Sequence, residues 1–132
     1  MNKNLFLLFA VVFLLVGIIG CSDHVGLSGK VVYSDNGEPV PSGEIQFTTP
    51  TFLARAIIRN GSFTTGSYKE GDGLPPGTYN VAIVSVMLDE GNPEAAPKFL
   101  IDPKYADSKT SGLNVTIEAT TRNFEFKVDR AQ

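Results

Sequence analysis

Phe52-Leu53-Ala54-Arg55-Ala56-Ile57-Ile58-Arg59-Asn60-Gly61-Ser62-Phe63-Thr64-Thr65 is the stretch that decides the fold class. Phe52 to Arg59 reads as a strand, with Arg55 and Arg59 on the same face as Leu53 and Ile57, because alternate side chains share a face. Asn60-Gly61 is the strongest hairpin signal in the chain, since the type I′ two-residue turn needs positive φ at both central positions. Ser62 to Thr65 is then the returning strand, with Phe63 buried.

The same grammar extends in both directions. Leu27, Gly29, Val31 and Tyr33 share one face of a first strand, closed by the turn residues Asp35-Asn36-Gly37. Pro39 and Pro41 forbid regular pairing after it. A second strand follows Ser42-Gly43, with Ile45 and Phe47 inward and Glu44 and Gln46 outward, and stops at Thr49-Pro50-Thr51. Tyr79 to Val86 is the longest apolar strand and belongs in the interior of a sheet. Leu113, Val115 and Ile117 alternate with Asn114 and Thr116. Phe124, Phe126 and Val128 alternate with Glu125, Lys127 and Asp129. These last two strands read as half-exposed and antiparallel. About seven short strands between Gly- and Pro-rich turns, with no helical periodicity after residue 20, predict an all-β, antiparallel β-sandwich. A short helical turn fits at Pro103–Ala106, where Pro occupies a first turn.

The first twenty residues follow a different pattern. Lys3 is followed by an unbroken apolar run, Leu5 to Ile19. A charged start, a short apolar core and a small residue at its end mark a secretory signal, expected as a helix. As a helix the run would span roughly 22 Å, short of the roughly 30 Å hydrocarbon core of a bilayer. Ile18-Ile19-Gly20-Cys21 resembles the bacterial lipobox. The resemblance implies cleavage between Gly20 and Cys21 and a diacylglyceryl group on the Cys21 thiol, hence a membrane anchor facing periplasm or exterior. Residues 1–20 are thus a lipoprotein signal peptide, 21–26 a lipidated tether and 27–130 the sandwich.

Removal of residues 1–20 leaves 112 residues with 10 basic and 14 acidic side chains, one domain's worth of chain. The acidic balance argues against a nucleic-acid partner, which needs clustered Lys and Arg. Cys21 is the only cysteine, so no intrachain disulfide is possible and the apolar core must hold the fold.

Several segments match a family in order: Ser28-Gly29-Lys30-Val31, Gly37-Glu38-Pro39-Val40, Ile45-Gln46-Phe47, Gly61-Ser62-Phe63 and Pro76-Gly77-Thr78-Tyr79-Asn80-Val81. They resemble carboxypeptidase regulatory-like domains, which are transthyretin-like (prealbumin-like) sandwiches. Tyr68 to Tyr79, Pro103-Lys104-Tyr105 and Thr110-Ser111-Gly112-Leu113 are similar to segments of small bacterial envelope lipoproteins built on that domain. The resemblance implies a non-catalytic module.

Candidate chemistry is sparse. His24, the only histidine, sits in the tether, where nothing holds it within reach of a nucleophile. Glu70-Gly71-Asp72-Gly73 could wrap a cation but lacks the spacing of a calcium loop and reads as a turn. No catalytic residue, cofactor or metal site is expected. Residues 87–112 form a long stretch with little strand pattern, a length at which loops tend to carry function. Phe99, Lys104 and Tyr105 could form a stacking surface there, with Tyr68 and Asp72 completing a candidate binding loop. Their alternative role is to pack over one end of the sandwich. Two functions follow: a lipid-anchored module that is structural or binds an envelope protein, or a carbohydrate-binding module that takes an envelope polysaccharide on Tyr68, Tyr79, Phe99 and Tyr105.

Overall fold

The computed structural model describes residues 28–66, 73–118 and 123–132; the signal segment, Cys21, His24, Leu27, Tyr68 and Asp72 lie outside them. Among the described residues the chain is all-β. β1 (Ser28–Tyr33), β2 (Ser42–Thr49), β3 (Phe52–Arg59), β4 (Ser62–Thr64), β5 (Gly77–Val84), β8 (Leu113–Ile117) and β9 (Asn123–Val128) make one hydrogen-bonded sheet. β6 (Val86–Met87) and β7 (Lys98–Phe99) form a two-stranded arm, and one 3₁₀ turn, η1, covers Pro103–Ala106. No helix among these residues is long and apolar enough to cross a membrane.

The strand order is β8-β5-β2-β3-β4-β1-β9. The sheet is folded at the β3–β4 hairpin, where Arg59↔Ser62 is, among the described residues, the single rung joining its two parts. On one side β8, β5, β2 and β3 form an antiparallel layer. On the other, β4 and β9 flank β1. The layers face each other across aromatic rings. Phe47 of β2 lies 5.9 Å from Phe63 of β4, 6.2 Å from Phe124 of β9 and 6.4 Å from Tyr79 of β5. Tilted and edge-on rings at such spacings are the favoured aromatic geometry. Val31, Ile45, Ile58, Val81, Ile83 and Val128 are fully buried around them.

Three sequence expectations need correction. The sandwich is not wholly antiparallel: β1 and β9 run parallel, in register from Ser28↔Asn123 to Tyr33↔Val128. A parallel pair needs a long crossover, and the chain between them supplies one. Tyr79 to Val86 is not one strand. β5 ends at Val84, and Ser85, fully buried, turns its hydroxyl to Ser42 O at 2.6 Å. The returning hairpin strand is also shorter than expected, ending at Thr64.

Registers define two ends. Ser28, Phe52, Thr64, Gly77, Ile117 and Asn123 lie at one, called here the near end, because β1 begins there. Tyr33, Ser42, Arg59, Val84 and Val128 lie toward the other, the far end.

Candidate functional site

The polar groups that the fold organises most tightly are at the far end. Residues 100–111 act as a clasp between the two layers. Leu100 N–H donates to Ser85 O beside β5, and Asp102 N–H donates to Asp129 O beyond β9. Ser111 Oγ donates to Val81 O, and Ile101 forms an isolated bridge with Arg130. Inside the clasp Asp102 caps η1 by accepting from Lys104 N–H at 2.9 Å, with Pro103 in the first turn. That turn sends Tyr105 inward, 5% exposed, and Lys104 outward.

Asp129 is the hub. Lys104 Nζ lies 2.9 Å and Tyr105 OH 3.1 Å from its Oδ2, and Ser34 Oγ donates to its Oδ1 at 2.6 Å. Its backbone N–H returns a bond to Tyr105 OH at 3.2 Å. These donors, Lys104 first, then Ser34 and Tyr105, hold the Asp129 carboxyl down at about 2. The same bond pushes the Lys104 ammonium up. Next to it Arg130 bridges Asp35 at 2.8 Å and Glu38 at 3.0 Å, with its guanidinium carbon 3.6 Å from the Tyr33 ring centre. Asp35 and Glu38 are presented by the β1–β2 turn, where Gly37 adopts φ +74° and Asn36 Oδ1 accepts from Glu38 N–H. The Asp35 hydrogen bond is the main reason the Arg130 guanidinium is pushed up.

The network binds itself. A carboxyl held near 2 is a poor proton acceptor at neutral pH, and its oxygens already accept from three side-chain donors. No grouping of three or more metal-ligating side chains occurs among the described residues.

The predicted binding loop is therefore divided. Lys104 and Tyr105 do meet, but Tyr105 is buried and bonds Asp129, so it offers no ring to a ligand. Phe99 stands apart on the β6–β7 arm, 40% exposed, in register with Val86. Tyr79 is buried and donates its hydroxyl to Pro75 O at 2.6 Å. Burial alone raises its pKa. The stacking surface expected from Tyr79, Phe99 and Tyr105 is thus not assembled, because two of these rings serve the core. Sequence reasoning missed Asp129, Arg130, Ser34 and Asp35 as partners of the clasp. The only local hint was the Asp35-Asn36-Gly37 turn.

Two other surfaces stand out. A depression of about 570 Å³ at the near end is floored by Phe63 and Phe124 and rimmed by Lys30, Thr64 and Glu125. Lys30 and Glu125 are register neighbours, so its rim is charge-balanced. The second is the outer face of β3, where Leu53 is 48% and Ile57 50% exposed on either side of Arg55. Comparison with protein-family models, curated proteins and solved structures finds no match to this chain.

Proposed function

We propose that this protein is a non-catalytic, lipid-anchored module of the bacterial cell envelope that binds another protein through its sandwich. It is built on the transthyretin-like, carboxypeptidase regulatory-like architecture that its sequence resembles. The observation that carries the reading is the polarity of the fold. β1 begins at the near end, and only residues 22–27 separate it from Cys21. Lipid on Cys21 would hold the near end toward the membrane and leave the clasp, the arm and much of the outer sheet face open to the envelope. Two or three acyl chains give stable anchoring where one gives marginal binding. The self-satisfied clasp supports a structural role for the far-end charges rather than a catalytic one.

The test is Cys21→Ser. The wild-type chain is expected in the membrane fraction with the added mass of its acyl chains. The variant is expected in the aqueous fraction without that mass. An unchanged mass and membrane fraction would remove the anchor. Pull-down of envelope proteins on the chain from Ser22 onward, beside a glycan array, tests the binding half. Glycans retained with no protein partner would favour the polysaccharide reading instead.

A further inference from the structure

Among the described residues, β3 has one neighbour along most of its length. β2 pairs with all of it, from Ser42↔Arg59 to Thr49↔Phe52. On its other side the sole rung among the described residues is Arg59↔Ser62, because β4 and β1 turn away to build the second layer. The turn reveals which backbone groups face that open side. Asn60 N–H donates to Pro41 O at 2.8 Å, toward β2. Backbone groups alternate sides along a strand. Ile58, Ala56 and Ala54 therefore turn theirs to β2, while Ile57, Arg55 and Leu53 turn theirs to the open edge. The side chains of the latter three lie on the outer face, Arg55 with 60% of its side chain exposed.

Natural edges are kept from pairing by brevity, proline, bulges or inward charges. β3 is eight residues long, in unbroken register with β2, and contains no proline. Its charges point outward, where they do not obstruct pairing along the backbone.

Charge also decides the occupant. The chain has a net charge of −3, yet β3 carries two arginines and no acid. Glu44 lies 3.7 Å from Arg55 and is shared with Gln46, whose Nε2 donates to it at 2.7 Å. An exposed pair of this kind contributes little. Two copies of β3 paired about a two-fold axis would bring their Arg55 side chains together on one face of the joint sheet, and like charges across a ladder repel. We infer that the open edge of β3 captures an extended, acidic segment of a partner protein, with a carboxylate beside Arg55 and apolar residues beside Leu53 and Ile57. Main-chain hydrogen bonds from Leu53, Arg55 and Ile57 hold the segment, and the outer-face side chains select it. This deepens the protein-binding reading above by assigning it a surface and a partner chemistry.

The probe is a blocked peptide centred on Ile-Thr-Glu-Thr-Ile, with a counterpart carrying Lys for Glu, titrated against the full chain in detergent micelles. The Glu peptide is expected to bind and to slow amide hydrogen exchange at Leu53, Arg55 and Ile57. The Lys peptide is expected to bind roughly fivefold more weakly, the scale of one exposed charge contact. Arg55→Glu should reverse that preference without shifting the unfolding midpoint by more than the small amount usual for a surface change. N-methylation of alternate amides on the pairing edge of the Glu peptide should abolish binding. The inference is overturned if the Glu peptide does not bind, if protection falls elsewhere, or if binding survives N-methylation. It is also overturned if the chain alone dimerises with the same three amides protected, which would make a second copy the occupant. A pulled-down partner that still binds Arg55→Glu would overturn the edge while leaving the protein-binding reading intact.

Discussion

Asp129 illustrates how much a single exposed residue can depend on distant sequence. Its alternation with Phe126 and Val128 marks it as an outward polar position, and that is all its neighbourhood reveals. Lys104 and Ser34, the donors that hold its carboxyl down, are brought to it only when the clasp and the β1–β2 turn close on the end of β9. The sign of the pH effect follows. A carboxyl lowered from 3.8 to about 2 on folding contributes stability that is fully present above the unfolded value. That stability is lost as pH falls through about 2. Asp129→Asn should therefore flatten the acid limb between about pH 4 and pH 2, read as urea midpoints by circular dichroism at a series of pH values. An acid limb identical to wild type would mean the contacts contribute nothing to folding. Gly29 is a steric case. Its inward position was legible from the alternation with Val31 and Tyr33, but not the reason for glycine there. A Cβ would sit 2.5 Å from Phe63 Cζ and 2.8 Å from Phe124 O. Gly29→Ala should cost about 1–3 kcal/mol by overpacking, whereas Lys30→Ala next to it should stay within about 0.5 kcal/mol. Urea unfolding of the two variants measures the difference.

At the scale of elements, what could be read was what is locally encoded. The β3–β4 hairpin was plain because Asn60 and Gly61 adopt φ +49° and +76°, a demand that few other dipeptides meet. The break at Ser85 was written in the sequence as the one polar residue between Val81 and Leu88, a cue easily overridden by the hydrophobicity around it. The parallel pairing of β1 with β9 was not legible, since it joins the two ends of the described chain and nothing in either strand specifies direction. The β6–β7 arm was not legible either, because two-residue strands carry no periodicity. The 3₁₀ turn at Pro103–Ala106 could be anticipated from proline chemistry, yet Tyr105's role could not. Its ring fills the core under the clasp while its hydroxyl both donates to and accepts from Asp129. Two substitutions separate these contributions. Tyr105→Phe keeps the ring and should cost about 1 kcal/mol, the usual net value of a hydrogen bond. Tyr105→Ala also opens a cavity and should cost about 3–5 kcal/mol. Hydrogen exchange should show Asp102 and Leu100 amides losing protection first, since they are the clasp's bonds to each layer. Equal costs for the two variants would mean the ring adds nothing to the core.

At the scale of the whole molecule, the all-β class and the inward-facing aromatic core follow from period-two alternation. The division into layers does not, because among the described residues it depends on a single rung at one hairpin. The orientation proposed for the sandwich on a membrane combines both kinds of information. Cys21 comes from sequence, and the end of the sandwich to which its tether leads comes from topology. Eight-residue strands such as β3 and β5 span about 26 Å from near end to far end at roughly 3.3 Å per residue. Six residues such as 22–27 span at most about 20 Å when extended, so a sandwich held by lipid on Cys21, as proposed, would have room to tilt. A tilting body attached at one end still keeps that end closer to the attachment on average. Thr51, exposed in the turn before β3, marks the near end, and Ala106, exposed in η1, marks the far end. With the thiol of Cys21 lipidated, Thr51→Cys and Ala106→Cys each provide one thiol for a fluorophore. In vesicles containing headgroup-quencher lipids, the fluorophore at residue 51 should be quenched more than the one at residue 106. The difference should vanish when Cys21→Ser is combined with either variant, because the chain then leaves the vesicle. Stronger quenching at residue 106 on the lipidated chain would mean that the far end faces the bilayer, and the open edge of β3 would have to be tested for contact with lipid before protein.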